Sequence, residues 1–379
     1  MRIAFLCKRR YMGKDVILDR YARLYEIPFQ LARLGHDVRG FCLSYQGHDD
    51  GEWKHEGEPG KLRWESHSLG RLVLPALAGY PRHLLRQLHS WTPDVLIGAS
   101  DIPHVALAGW LAKRLGVPYA ADLYDNFEGF GQARIPGMVT ALRHAVRGAA
   151  LVTTTSEPLK ELVVNTYRAR GEVLAMPSTV DKSVFHPRDR TACRLALGLP
   201  EDARLVGTAG GLHRDKGVDA LYAAWPTIAS RRPDAHLVLA GPFDTSYPPP
   251  TDPRVHYLGQ LPHARTAELF NALDVGVIYL RDTPFGRYCF PQKAYEMLAC
   301  SLPIASARVG VMPELLASAP EGLYAADSPA DLAQAVLDLL DRPAVATVPI
   351  DDWAHIVGVM EQQLERIMEG FPSPGVSRE

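Results

Sequence analysis

The chain has 379 residues, more than most single domains contain, so its length favours two domains. Hydrophobic residues make up 47% and charged residues 22%, which excludes disordered and fibrous architectures. The 41 Lys and Arg residues nearly balance the 43 Asp and Glu residues, and the net charge of -2 excludes a general attraction to nucleic acid.

Cysteine usage and hydropathy indicate the compartment. Five cysteines show neither the spacing of a disulfide framework nor that of a zinc site: Cys7, Cys42, Cys193, Cys289 and Cys300. The first apolar run, residues 2–7, is too short for a secretory signal, and no segment approaches the roughly 20 apolar residues of a membrane span. We therefore expect a cytoplasmic protein.

The first half of the chain alternates strand and helix patterns. An apolar strand at 2–7 leads through a polar loop, 8–14, into a helical pattern at 16–34, which ends at Gly35. Further strands are predicted at 38–45, 94–100, 117–125 and 150–156, with helices at 104–115 and 136–148. This order predicts a parallel sheet with helices on both faces.

The alternation starts again in the second half. Strands are predicted at 203–211, 235–241, 254–259 and 274–280, with helices near 217–230 and 265–272 and a last helix at 352–368. The Pro-, Ser- and Thr-containing segment 173–187 has the composition of an interdomain connection. The sequence predicts an N-terminal domain over 1–187, a C-terminal domain over 188–350 and a final segment, 351–379.

Parallel α/β sheets bind ligands beyond the carboxyl ends of their strands, where glycine-rich turns and helix N-termini accept phosphates. Loop 8–14 follows the first strand and contains Arg9, Arg10 and Gly13. The glycine would let a ligand approach the backbone, and the arginines could bind a diphosphate or an anionic acceptor. The alternative is an ordinary solvated loop.

A second candidate is TAGGLHRDKG, residues 208–217. Gly210 and Gly211 end a strand, and Arg214 and Lys216 precede the next helix, which suits a pyrophosphate. The spacing matches neither a Walker loop nor the dinucleotide fingerprint, so a nicotinamide dehydrogenase is disfavoured. The alternative is a basic helix cap.

A third candidate is segment 287–310, in which a proline-bearing loop leads into a helix that carries Glu296. A carboxylate at this place could accept hydrogen bonds from two ribose hydroxyls. The alternative is a first-turn glutamate that the helix dipole favours.

These segments resemble, in order, the motifs of the retaining, nucleotide-sugar-dependent glycosyltransferases of family 4. The C-terminal matches are TAGGLHRDKGVDAL, HLVLAG, RVHYLGQLPHARTAELFNALDVGVIYL and FPQKAYEMLACSLPIASARVGVMPEL; LARLGHDV, GVPYAADLYD and MPSTVDKSVFHP match more loosely. The resemblance implies the GT-B fold: two Rossmann-like parallel α/β domains that face a cleft, with the C-terminal helix crossing back to the first domain.

The resemblance also implies roles for individual residues. Lys216 and Arg214 would bind the donor diphosphate at the Gly210–Gly211 turn, and Glu296 would bind the ribose. The remaining donor-binding residues would be Gly13 from the first domain, Tyr257 and Leu261 near the base, and Phe290, Pro291 and Gln292 near the sugar or phosphate.

Three positions depart from the family pattern. Tyr288 stands where the first glutamate of the Glu-x7-Glu motif is expected, but Pro291, Lys293 and Glu296 resemble a Pro-x-Lys version found in some members, so Lys293 is added to the donor site. Gly211 replaces the usual arginine, which makes Arg214 the candidate. Tyr124 replaces a histidine after the strand at 117–125 and could hydrogen-bond the donor sugar.

The resemblance implies a retaining hexosyltransferase that moves a sugar from a UDP- or GDP-sugar to a glycan or lipid-linked acceptor in cell-surface polysaccharide, lipopolysaccharide or glycoconjugate synthesis. No metal or other cofactor is required, because the lysine, the arginine and helix amides would handle the diphosphate charge. The alternatives are a nucleotide-sugar epimerase of the same fold and a catalytically silent nucleotide-sugar- or partner-binding protein, which the missing glutamate makes conceivable.

Segment 71–91 combines Arg71, Arg82, Arg86 and Trp91 with several leucines. Such a segment could rest on the anionic inner face of a membrane and bring the protein to a lipid-linked acceptor. The alternative is a core-facing helix with a basic outer face.

Overall fold

The computed structural model describes residues 1–45, 47–70 and 73–371, and the side chains of all of these except 73–78. The chain divides into two compact units: Met1–Ser178 together with the chain from Trp353 onward, and Thr179–Asp352. The first unit ends before the predicted boundary at residue 187, because Val180 and Phe185 pack in the core of the second unit.

The first unit is built on an eight-stranded sheet. The strands run in chain order as Arg2–Lys8 (β1), Arg10–Tyr11 (β2), Lys14–Asp15 (β3), Asp37–Ser44 (β4), Gly51–His55 (β5), Lys61–Ser68 (β6), Val95–Ala99 (β7), Tyr119–Leu123 (β8), Leu151–Thr154 (β9) and Glu172–Ala175 (β10). The sheet order is β10-β9-β8-β7-β1-β4-β6-β5, and β2 with β3 forms a separate hairpin. All neighbours in the sheet are parallel except the antiparallel edge pair β5 and β6.

Helices cover both faces of this sheet, as the continuous burial of β7 and β9 requires. They are Ala22–Arg33 (α1), Val73–Trp91 (α2), Ile102–Leu115 (α3), Met138–Gly148 (α4), Glu157–Leu162 (α5) and the last helix, Trp353–Gly370 (α13). Helix α13 packs on α1 within the same core, with Val357, Met360 and Leu364 fully buried. His36 Nε2 lies 3.1 Å from the Glu361 carboxylate and ties α13 to the turn after α1.

The second unit holds a six-stranded parallel sheet. Its strands are Arg204–Ala209 (β11), Ala235–Ala240 (β12), Val255–Tyr257 (β13), Val275–Ile278 (β14), Ile304–Ala307 (β15) and Leu323–Tyr324 (β16), in the order β13-β12-β11-β14-β15-β16. Its helices are Arg190–Leu197 (α6), Val218–Arg231 (α7), His263–Ala272 (α8), Pro284–Tyr288 (α9), Gln292–Ala299 (α10), Met312–Leu315 (α11) and Pro329–Asp341 (α12). The strand order reverses direction between β11 and β14, which is the position where doubly wound sheets bind ligands.

The first helix is shorter than predicted. Its predicted start at Val16 falls in a turn, because the Asp15 carboxylate accepts hydrogen bonds from the backbone N–H groups of Ile17 and Leu18 at 2.9 and 3.1 Å. Arg20 has a φ of 48°, in the left-handed region, which no right-handed helix contains. Helix α1 therefore begins only at Ala22.

Strands β5 and β6 were not predicted from the sequence. In β6 the buried Leu62 and Trp64 alternate with the exposed Lys61 and Arg63, which is the period of a half-covered strand. That alternation is a signal which could have identified β6.

Helix α2 covers most of segment 71–91, of which residues 71 and 72 lie outside the described residues. Leu84 and Leu88 are buried in the core with Trp91, whereas Arg82 and Arg86 are exposed. This part of α2 is therefore a core-facing helix with a basic outer face, and Leu84 and Leu88 are not available to a membrane. Within the described residues, no helix is long and apolar enough to span a bilayer.

Candidate functional site

The turn after β11 lies in close backbone contact with the turn after β12, at the place where the strand order of the second sheet reverses. The Gly210 N–H donates to Ala240 at 2.9 Å, and Gly210 and Gly241 have φ values of 116° and 121°. A Cβ on Gly241 would overlap the carbonyl oxygen of Gly210. Glycine at both places lets the loops after β11 and β12 touch, and it leaves the backbone of the turn uncovered.

Two lysines flank this turn. The Nζ of Lys216 lies 3.1 Å from the position that a Cβ on Gly211 would occupy, and the Nζ of Lys293 lies 3.2 Å from the corresponding position on Gly210. Burial lowers the pKa of Lys293 to about 8, and the neighbouring Lys216 adds to that shift. An anion at the turn would offset both effects, so the arrangement favours binding of a phosphate or diphosphate.

Glu296 lies one helical turn after Lys293 on α10 and is 7% exposed. Burial raises the pKa of its carboxyl group to about 7, and Lys293 partly offsets this. A carboxyl group that titrates near neutrality can accept hydrogen bonds from hydroxyl groups when it is ionised, and it can also donate one when it is protonated. Lys216 lies far from Lys293 and Glu296 in the sequence, and the three residues therefore form one site with the glycine turn only in the folded protein.

Arg214 begins a single 3₁₀ turn, Arg214–Lys216. Its side chain is exposed, and its guanidinium carbon lies 5.4 Å from the centre of the Tyr247 ring. An open pocket of about 690 Å³ lies beside this turn and is lined by His213, Arg214, Asp215, Asp244 and Arg281. Arg214 thus shares a turn with Lys216, but its side chain lies at this pocket.

The predicted base-pocket residues take different positions. Tyr257 is 42% exposed and donates from its hydroxyl to the carbonyl of Gly241 at 2.8 Å, which places it beside the glycine turn. Its ring meets Phe243 edge to face at 5.2 Å. Leu261 is partly buried and packs against the hydrophobic core. Tyr257 therefore borders the site, whereas the Leu261 side chain has a packing role.

The loop before α10 is held by its own side chains. Phe290 packs on Tyr295 with ring centres 4.6 Å apart, and Gln292 donates to the Thr179 carbonyl at 3.4 Å. Pro291 is the N-cap of α10, and no side chain caps the first N–H groups of the helix. The part of this loop that remains for a ligand is the backbone, as the resemblance implies.

In the first unit, Tyr124 and Lys8 meet at the carboxyl ends of β8 and β1. The Lys8 Nζ donates to the Tyr124 hydroxyl at 3.1 Å. Burial lowers the pKa of Lys8, raises that of Tyr124, and raises the pKa of Asp125 to about 6. The three polar groups form a cluster around Tyr124 that the sequence did not predict as a unit.

Loop 8–14 contains a hairpin in place of a simple loop. Gly13 lies at its tip with a φ of 83°, and a Cβ there would meet nothing within 4 Å. Arg9 is 3% exposed and is bound by Asp15 at 3.0 Å and Ser66 at 3.0 Å. The suggestion that Arg9 binds a ligand is therefore wrong, because its guanidinium anchors the hairpin to β6. The role of Gly13 toward phosphates stays a prediction.

Two further residues are part of the second unit's site and were not predicted. Gly241 follows a strand and could have been recognised, because it ends the β12 pattern HLVLAG. Arg281 follows β14, the strand that pairs with β11, and had no motif to mark it. Among the described residues, no group of three or more His, Cys, Asp or Glu could hold a metal ion, and metal independence stays a prediction.

Comparison with known families identifies the class of protein. The model of the "Glycosyl transferase 4-like domain" matches residues 23–179, and that of "Glycosyl transferases group 1" matches residues 203–342. Together the two matches span most of the chain. The chain therefore belongs to this family of glycosyltransferases, as its motifs predict.

Individual relatives show about 30% identity to this chain. D-inositol 3-phosphate glycosyltransferase 2 of Catenulispora acidiphila is 30% identical over 266 residues, which are 62% of this chain and 60% of the relative. The D-inositol 3-phosphate glycosyltransferase of Stackebrandtia nassauensis is 30% identical over 239 residues, 59% of this chain and 51% of the relative. The chain thus spans about half to three fifths of the length of these relatives.

Solved structures share the fold. Sucrose-phosphate synthase from Thermosynechococcus elongatus has a TM-score of 0.75 at 19% identity, over 97% of this chain and 99% of the other. Anabaena HepE in complex with UDP-glucose has a TM-score of 0.64 at 18% identity, over 98% of each chain. At these identities the likeness concerns the fold alone, and it confirms the predicted GT-B class.

Proposed function

We propose that the protein is a retaining glycosyltransferase that transfers a sugar from a nucleotide-diphosphate sugar, UDP or GDP, to a hydroxyl group of an acceptor. The observation that carries the proposal is the position of Lys216 and Lys293 on either side of the bare Gly210–Gly211 turn, with Glu296 buried next to Lys293. A diphosphate needs such a pair of cations, and a ribose needs such a carboxyl group.

The reaction requires stabilisation of the diphosphate that leaves the anomeric carbon. Lys216 is exposed, whereas Lys293 is less exposed and lies in the first turn of α10. Both would stabilise the leaving group more strongly than the intact donor, which lowers the barrier. In a front-face mechanism the leaving phosphate itself accepts the proton of the attacking hydroxyl, so retention needs no second carboxylate.

The acceptor is proposed from the relatives. Those matched here are named for D-inositol 3-phosphate, a small phosphorylated polyol. The expectation of a cell-surface or lipid-linked acceptor rests on the family resemblance, and the burial of Leu84 and Leu88 in α2 weakens its membrane part. We therefore favour a small polyol or its phosphate, which would meet the Lys8–Tyr124–Asp125 cluster of the first unit.

A donor and acceptor panel tests this proposal. The protein would be incubated with UDP-glucose, UDP-N-acetylglucosamine and GDP-mannose, each with inositol, inositol phosphate, glucose phosphate or a lipid-linked glycan. Released nucleotide and product mass are measured, and NMR gives the anomeric configuration. Lys216→Ala and Glu296→Ala should each reduce kcat/KM by about 100-fold, the usual cost of losing a group that stabilises the transition state.

The matched control is Arg232→Ala. Arg232 follows α7 at the end away from Lys216 and pairs with the carboxylates of Asp234 and Asp341. Its loss should leave turnover close to wild type. Interconversion of a nucleotide sugar without acceptor would instead identify an epimerase, and nucleotide binding without any turnover would identify a binding protein.

A cytoplasmic location is part of the proposal, because none of the five cysteines forms a disulfide, as is usual in a reducing compartment. Titration of the unfolded protein, purified from cells under nonreducing conditions, should find five reactive thiols. Finding fewer would point to an oxidising compartment.

A further inference from the structure

Arg281 holds the turn that carries Lys216. It follows β14 at the reversal point of the second sheet, and three of its donor atoms have separate partners. Nε donates to the backbone carbonyl of Arg214 at 3.0 Å, Nη1 to Asp327 at 2.7 Å, and Nη2 to both oxygens of Asp219 at 2.7 and 2.6 Å. One guanidinium thereby joins the 3₁₀ turn to helix α7 and to the segment before α12.

The turn has little else to hold it. It is a single turn of three residues, its N-cap His213 makes no side-chain cap, and the side chains of Arg214, Asp215 and Lys216 are exposed. Its internal bonds are those of the Lys216 N–H to His213 and of the Gly217 N–H to Arg214, both at 3.1 Å. An isolated turn of this length is marginal in water, because too few bonds offset the loss of backbone entropy.

The residue that follows the turn, Gly217, also packs directly against Arg281. Gly217 has a φ of 101°, and a Cβ on it would lie 3.4 Å from Cγ of Arg281. The carbonyl that Arg281 binds also accepts the Gly217 N–H, so Arg281 and the turn share an acceptor. Displacement of the guanidinium would free the segment that sets the position of the Lys216 ammonium beside Gly211.

The charge of Arg281 is already compensated. Asp219 and Asp327 supply two carboxylates within ion-pair distance, and the Arg281 side chain is 27% exposed. Arg281 is therefore better suited to holding neighbouring segments in place than to binding a ligand anion. Its planar guanidinium has several donors in fixed directions and can bridge acceptors that lie apart.

We propose that Arg281 is a positioning residue for sugar transfer: it fixes the turn Arg214–Lys216 so that Lys216 meets the leaving diphosphate. The catalytic part of this inference rests on the proposed function, whereas the mechanical part does not. Lysine at this position keeps a positive charge but has one nitrogen, which cannot reach all three partners.

The first test needs no activity. Hydrogen exchange is measured for the amides of Lys216 and Gly217 in wild type, Arg281→Lys and Arg232→Lys. Arg232 pairs with two aspartates at the opposite end of the same helix and is the matched control. Exchange of the two amides should be about tenfold faster in Arg281→Lys and unchanged in Arg232→Lys. Unchanged exchange in Arg281→Lys overturns the proposal, whatever the enzyme does.

The second test separates positioning from a general structural effect. Arg281→Lys should reduce kcat/KM by about tenfold to 100-fold, as expected for a misplaced catalytic group. In a Lys216→Ala background the same change should have almost no further effect, because the residue on which it acts is gone. Equal losses in both backgrounds would show that Arg281 does not act through Lys216. If exchange rises but no nucleotide sugar is turned over by wild type, the proposed function fails and the mechanical role stands.

Discussion

Lys293 and Glu296 lie one helical turn apart on α10, and burial shifts their pKa values toward each other, to about 8 for the ammonium and about 7 for the carboxyl group. Near neutral pH each group is therefore close to its midpoint. A bound diphosphate would raise the pKa of Lys293 and favour its protonated, charged form. Donor binding is therefore coupled to pH.

Donor binding should weaken in mild alkali. Above pH of about 8 the free protein loses the Lys293 proton, so the affinity for UDP should fall by up to about tenfold per pH unit. Titration calorimetry between about pH 7 and about pH 9.5 measures this, because that window brackets the Lys293 pKa of about 8. Lys293→Arg should bind UDP with little change over that window, because guanidinium stays protonated. An equal slope in both proteins would contradict the assignment.

Glu296 should make stability depend on pH in a defined direction. Its pKa is raised from 4.5 to about 7 in the folded protein, so the folded state binds more protons than the unfolded state between these values. The contribution is fully present below pH 4.5 and is lost as pH rises through about 7. Glu296→Gln should therefore gain Tm over wild type at pH 8 and match it near pH 4.5, as calorimetry can show. The exposed Glu321→Gln is the control and should show no such difference.

Gly211→Ala should damage donor binding more than folding. Gly211 does not have a positive φ, so alanine fits the backbone, but its methyl group would lie 3.1 Å from the Lys216 Nζ and 2.8 Å from the His213 ring. We expect the affinity for UDP to fall by about tenfold or more, roughly the loss of one charged hydrogen bond. Gly137→Ala provides the contrast: its φ of 86° strains alanine by about 1 kcal/mol, no atom crowds it, and it belongs to no predicted site. UDP binding equal to wild type in Gly211→Ala would remove the turn from the donor site.

The stability of the first unit should depend on the buried ion pair between Arg23 and Asp122. Arg23 and Asp122 are both 0% exposed, with Nη2 2.6 Å from Oδ1, and Arg23 also donates to the Met176 carbonyl at 2.7 Å. Arg23→Met leaves the carboxylate buried without its partner and should cost about 3–5 kcal/mol of unfolding free energy. Urea denaturation followed by tryptophan fluorescence measures the loss. The double variant Arg23→Met/Asp122→Asn should recover part of it, and a double variant as unstable as the sum of both single changes would argue against coupling.

Much of the site could be inferred from local patterns. Strands such as β1 and β7 are continuous apolar runs bounded by polar turns, and the Gly210–Gly211 pair with Lys216 marks an anion turn by composition alone. Arg9 shows where this approach fails: its position after a strand suggests ligand binding, yet Asp15 and Ser66 hold it. Whether a cation is free depends on partners that the neighbouring sequence does not reveal.

The sequence by itself determined the two α/β units, the family and the segment in which Lys216 and Glu296 lie, because periodicity and motif spacing are local properties of the chain. Only the tertiary structure decided that Lys293 reaches the Gly210 turn, that Arg281 bridges Arg214, Asp219 and Asp327, and that Leu84 and Leu88 of α2 are buried. These facts depend on parallel strand pairing, which places loops separated by many residues at one edge of a sheet. The side chains that fold up around each charged group then decide whether it is already paired or can bind a ligand.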